Sequence, residues 1–114
     1  MRRAALLALA VALLAADAAA AAPARLLVEG REFNLTLSRV KLRHGTATVQ
    51  LANRGQDPHD LAIHRVGGGT RRIGKTLPGE VGTWEGRLRH GRYKLFCTLE
   101  GHRALGMRAT LRVR

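Results

Sequence analysis

The chain has 114 residues, a formal net charge of +12 and a single cysteine. That length leaves room for one small domain, and one cysteine excludes an internal disulfide framework. Aromatic residues make up only 4% of the chain, too few for a stacking platform on single-stranded nucleic acid. The basic excess attracts anionic partners and says nothing about fold.

At the N-terminus Arg2 and Arg3 precede an apolar run, Ala4 to Ala16, that meets no charge until Asp17. An alanine-rich stretch with many small-x-small sites then leads to Pro23. This is the layout of a secretory signal peptide over residues 1–22, and the apolar run is short for a bilayer span. It predicts export to a periplasmic or other extracytoplasmic space, with one mature domain over residues 23–114. Cys97 lies far from that leader and is not a lipid-attachment cysteine.

The mature chain alternates with period two, the mark of half-buried strands. Phe33, Leu35 and Leu37 alternate with Asn34, Thr36 and Ser38; Ala47, Val49 and Leu51 alternate with Thr46, Thr48 and Gln50. Leu61 and Ile63 flank Ala62, and Tyr93, Leu95 and Cys97 share one face of a later run. In the last run Met107, Ala109, Leu111 and Val113 point one way and polar residues the other. Asn53-Arg54-Gly55, Gly67-Gly68-Gly69, Pro78-Gly79 and His90-Gly91 supply the turns. No segment holds a helical period. The pattern predicts an all-β fold, six to eight short strands in a sandwich or barrel.

Chemistry concentrates in one loop between two of these strands, from Phe96 to Met107. Cys97, His102 and Met107 offer a thiolate, an imidazole and a thioether at spacings that let one loop present all three. Thiolate and thioether are soft ligands, imidazole suits copper, and two His, one Cys and a weak axial Met form a blue-copper electron-transfer site. The second imidazole must come from another loop, and His59, in the turn Pro58-His59-Asp60, is the best placed. His64 is a rival on an alternating strand; His44 and His90 precede glycines in turns and read as surface residues. Trp84 reads as packing.

The stretches NRGQDPHDLAIH, LPG and GRYKLFCTLEGHRALGMRATLRV resemble the small blue copper proteins, the cupredoxins of the plastocyanin and azurin type, from about Arg31 to Val113. The resemblance implies an antiparallel Greek-key β-sandwich and one-electron transfer. It implies one copper ion, held by His59, Cys97 and His102 with Met107 as the axial ligand. The family usually carries Asn after the first ligand His, and this chain has Asp60. In the family that side chain ties the two ligand loops together near the residue after Cys, here Thr98. An aspartate there still accepts hydrogen bonds, and its charge would favour Cu(II).

Three functions follow in order. The first is an electron carrier, monomeric, steered by its basic surface to an acidic redox protein such as a cytochrome or an oxidase domain. Ala104 and Leu105, with Pro58 and Leu99, would form an apolar patch at the edge of His102 where electrons leave. The second is a carrier or reservoir that delivers copper to an acceptor. The third is a basic module for an anionic membrane or nucleic acid; export argues against nucleic acid. A site whose four positions are filled by protein argues against an enzyme, because catalytic metals keep a position open.

Overall fold

A computed structural model describes residues 21–114. The leader expected over residues 1–22 therefore falls almost wholly outside the described residues. The elements in chain order are β1 (Ala24–Arg31), β2 (Asn34–Leu37), β3 (Lys41–Leu42), β4 (Gly45–Asn53) and β5 (His59–Arg65). There follow β6 (Thr70–Thr76), β7 (Val81–Leu88), β8 (Gly91–Phe96), α1 (His102–Leu105) and β9 (Arg108–Val113). One sheet has the order β2-β1-β4-β7 and the other β3-β9-β8-β5-β6.

The two sheets pack face to face as alternation requires. Val28, Val49 and Leu51 come from the first sheet and Ile63, Leu95 and Leu111 from the second, all fully buried. Each such side chain contributes roughly 1.5–3 kcal/mol by leaving water. The polar alternates of β9 stay exposed, as the sequence pattern predicts.

The expected β-sandwich is realised, with two parallel pairs in its otherwise antiparallel sheets. β1 runs parallel to β4 and β3 parallel to β9, while the remaining pairs are antiparallel. The cause is a return path divided between layers. β2 and β3 run back one after the other in different sheets, so β4 starts at the same end of the sandwich as β1.

Two strands carried little sequence signal. In β1 the buried residues are Ala24, Leu26, Val28 and Gly30, but Leu27 interrupts the alternation and the strand abuts the alanine-rich leader. In β6 only Ile73 is a buried apolar residue, because an edge strand needs little core. The one-turn helix α1 was also unexpected: four residues are too few to show a period.

Candidate metal centre

Three neighbouring strands deliver the candidate ligands to one end of the sandwich. In the second sheet β9, β8 and β5 are adjacent. Ala62 pairs with Phe96, and Phe96 with Arg108. Cys97 therefore follows the last paired residue of β8, Met107 precedes β9, and His59 opens β5. Backbone bonds lock this register: Cys97 N–H donates to Met107 O, and Met107 N–H to His102 O, both at 3.1 Å.

His59, Cys97 and His102 come together. One donor atom from each lies within 4.8 Å of the others. His59 Nδ1 stands 3.3 Å from His102 Nδ1, and Cys97 Sγ stands 3.6 Å from the same His102 nitrogen. His59 and Cys97 are fully buried and His102 half-buried. Met107 is fully buried beside them. A Cβ placed on Gly30 would meet Met107 Cε at 3.5 Å and His59 Cδ2 at 3.6 Å, so thioether and imidazole pack over the same glycine. The rival His64 sits far along β5, its Nδ1 2.8 Å from Thr70 Oγ1. His44 and His90 are exposed and stack on each other at 3.9 Å, as surface residues.

The fit of the three donors to a metal rests on their protonation. His59 Nε2–H donates to Glu32 Oε1 at 3.0 Å, which leaves the lone pair of His59 on Nδ1, facing His102 and Cys97. Burial pushes the Cys97 thiol up, and the nearby charge of Asp60 adds to this against the backbone donors that oppose it. Without an ion the sulfur keeps its proton. A cation shared by the three donors would take both lone pairs and hold the sulfur as thiolate. One soft sulfur and two imidazoles is a donor set for copper or zinc.

Asp60 ties the loops together, as the resemblance implies. Its carboxylate accepts Thr98 N–H at 2.6 Å and also binds the Thr98 hydroxyl. Asn53, read from the sequence as a turn residue, does more than turn the chain. It is buried, and its side-chain amide donates to Asp57 O and Thr76 O at 2.8 Å, bracing the loop that carries His59.

Two residues near the site were given no place there by the sequence. Glu32, in the β1–β2 turn, accepts the N–H groups of Asp57 and Gln56 as well as His59. Those backbone donors, Asp57 first, hold its carboxyl down to about 2. Phe33 sets its ring edge to His102, centroids 5.1 Å apart. Both are far in sequence from any ligand, and only the pairing of β1 with β4 brings them close. The expected apolar rim is partly realised: Leu105 is 63% exposed beside His102 and Ala104 is exposed, while Leu99 packs against the core.

No family model matches the chain. No curated protein matches it in sequence. Solved structures do match in fold. Dithionite-reduced auracyanin from the photosynthetic bacterium Roseiflexus castenholzii superposes with a TM-score of 0.65 at 19% identity, covering 79% of this chain and 96% of that one. A reduced Cu(I) form of an amicyanin variant gives 0.57 at 18% identity, covering 79% and 82%. A multicopper oxidase gives 0.57 at 17% identity over 79% of this chain, which spans only 43% of the oxidase. The chain thus has the cupredoxin fold, and at its metal end a buried His-Cys-His cluster that could hold an ion.

Proposed function

We propose that this chain is an exported type 1 copper protein that carries single electrons between redox partners. One observation carries the reading: a fully buried cysteine and two imidazoles converge within 4.8 Å at the end of a cupredoxin sandwich. His59, Cys97, His102 and Met107 would hold a copper ion there, which would supply one-electron chemistry between Cu(I) and Cu(II).

The chain's own residues do the rest. Glu32 and Asp60 hold the two ligand loops by bonds that do not involve the ion. Donors fixed in this way move little when charge changes, which favours fast transfer. Cys97, His59 and Met107 are sealed from water, and half-buried His102 is the ligand nearest the surface. Exposed Leu105 and Ala104 beside it form the surface on which a redox partner docks, and small interfaces suffice for such encounters. The dithionite-reduced auracyanin and the Cu(I) amicyanin among the structures of the same fold support this reading.

The test is the visible spectrum of the purified chain after one equivalent of Cu(II), beside the Cys97→Ser variant. The expected result is an intense visible band that a mild reductant bleaches and reoxidation restores, and that Cys97→Ser lacks. A weak band, or one that survives in Cys97→Ser, overturns the proposal.

A further inference from the structure

The pole opposite the metal site has a different chemistry. β5 leaves the metal end at His59 and finishes at Arg65, and the hairpin Val66–Gly69 turns it into β6. β7 finishes and β8 begins at this same far pole, since Arg65 pairs with Tyr93. Between these ends Arg65, Arg71, Arg87 and Arg89 line a cavity of 260 Å³ with Gly68 and Gly69. At the hairpin tip Val66, 51% exposed, borders a second depression with Arg92, Arg112 and Arg114. No carboxylate side chain lines either depression. Among the described residues the one pair within salt-bridge distance is Glu32 with His59, at the metal pole. Most described acidic side chains, Glu32, Asp57, Asp60, Glu80 and Glu100, also belong to that pole, all in its loops except Asp60 at the start of β5.

We infer that this cationic pole is a docking surface for an anionic phospholipid bilayer, with the metal pole turned away from the lipid. The guanidinium groups of these depressions, with no carboxylate partner among the described residues and Arg65 alone holding a backbone oxygen, that of His90, at 2.9 Å, match a plane of phosphodiesters, and each planar fork can bind phosphate in bidentate fashion. An exposed valine on a glycine-rich tip, ringed by arginines, is the arrangement of an interfacial anchor: the apolar residue enters the headgroup boundary while the cations stay at the phosphates. Chain continuity points the same way. Ala24 pairs with Ala47 near the start of β4, and Arg43 Nη2 donates to Ala22 O at 2.7 Å, so the chain enters the domain at this pole. The inference stands apart from the copper reading, because no residue of the metal centre takes part in it.

The test is flotation of the full chain with vesicles of equal parts phosphatidylglycerol and phosphatidylcholine, and with phosphatidylcholine alone. An arginine near an anionic surface is worth roughly fivefold in binding. The triple reversal Arg65→Glu, Arg87→Glu, Arg89→Glu therefore lowers binding more than roughly a hundredfold, and Val66→Ser lowers it several-fold. The double reversal Arg54→Glu, Arg103→Glu at the metal pole leaves most of it. Near-ultraviolet circular dichroism checks folding; if the triple variant unfolds, Arg71→Glu with Arg87→Glu, both exposed, replaces it. Equal losses per reversed arginine at the two poles overturn the inference, since attraction would then follow net charge alone. Equal binding to neutral vesicles overturns it in favour of the apolar run. Displacement of the vesicles by polyglutamate at matched charge overturns it in favour of an acidic protein.

Discussion

The two ends of the sandwich differ in how many constraints each residue satisfies. At the metal pole single side chains serve several masters: Glu32 holds two backbone N–H groups and the His59 imidazole, and Asp60 holds Thr98 by backbone and hydroxyl. At the far pole the arginines lack carboxylate partners among the described residues, and Gly67 and Gly69 at the hairpin tip have open space around them, while Gly68 lies against Arg65. A bond network that fixes donor atoms suits a redox site, and loosely held cations suit a diffuse charged partner. The same strands run into both ends, so the difference lies in the loops and not in the scaffold.

Glycines offer the sharpest break of that comparison. Gly106, between α1 and Met107, has φ +130, and a Cβ there would lie 2.7 Å from Phe33 O. Gly67, at the far tip, has φ +76 with nothing within 4 Å. Gly106→Ala therefore combines backbone strain with a clash against main chain and costs about 2–4 kcal/mol. Gly67→Ala meets the left-handed penalty alone, about 1 kcal/mol. Chemical denaturation of the metal-free chain measures both. Gly106→Ala also shifts the visible spectrum of the copper form through Met107, and Gly67→Ala leaves it unchanged. Equal costs would show that the metal pole is no more constrained than its opposite.

What the sequence revealed, and what it hid, follows the same divide. Cys97, His102 and Met107 were legible because one loop carries all three, and His59 because its turn follows a clear strand. The alternation of β8 and β9 placed their buried faces correctly. Glu32 was illegible because its partners lie at Gln56, Asp57 and His59, across a parallel strand pair that no local pattern announces. The mixed sheets were hidden for the same reason, since strand direction depends on which layer each return strand joins. The polarity of charge was equally invisible: a net +12 is a sum, and only the register of β5 to β8 shows where it sits.

Asp60 gives a smaller effect. Asp60→Ala leaves Thr98 N–H and its hydroxyl without their carboxylate, a loss of about 1.5–3 kcal/mol in the metal-free chain. Asp60→Asn keeps one acceptor and removes a negative charge near Cys97, so the stability loss is smaller and the reduction potential rises. Voltammetry of the copper form reads the second effect. An unchanged potential in Asp60→Asn would mean that the charge of Asp60 does not reach the centre.

Glu32 gives the smallest effect and separates positioning from ligation. Glu32→Gln retains one acceptor oxygen but weakens the hold on His59 Nε2–H, and changes of this kind in a ligand's partner cost about tenfold in metal affinity. Copper competition against a chelator measures it; a mutant as weak as His59→Ala would instead make Glu32 a ligand. Acid titration supplies a second readout with a definite sign. The carboxyl is lowered from 4.5 to about 2 by donors that exist only in the folded chain, Asp57 N–H foremost. Its contribution is therefore fully present above pH 4.5 and is lost as pH falls toward about 2. Thermal melting of the metal-free wild type should steepen its decline across that window, while Glu32→Gln, which has no carboxylate to protonate, should start lower and decline less. Parallel curves for the two proteins would mean that the bonds from Gln56 and Asp57 to Glu32 do not stabilise the fold in solution.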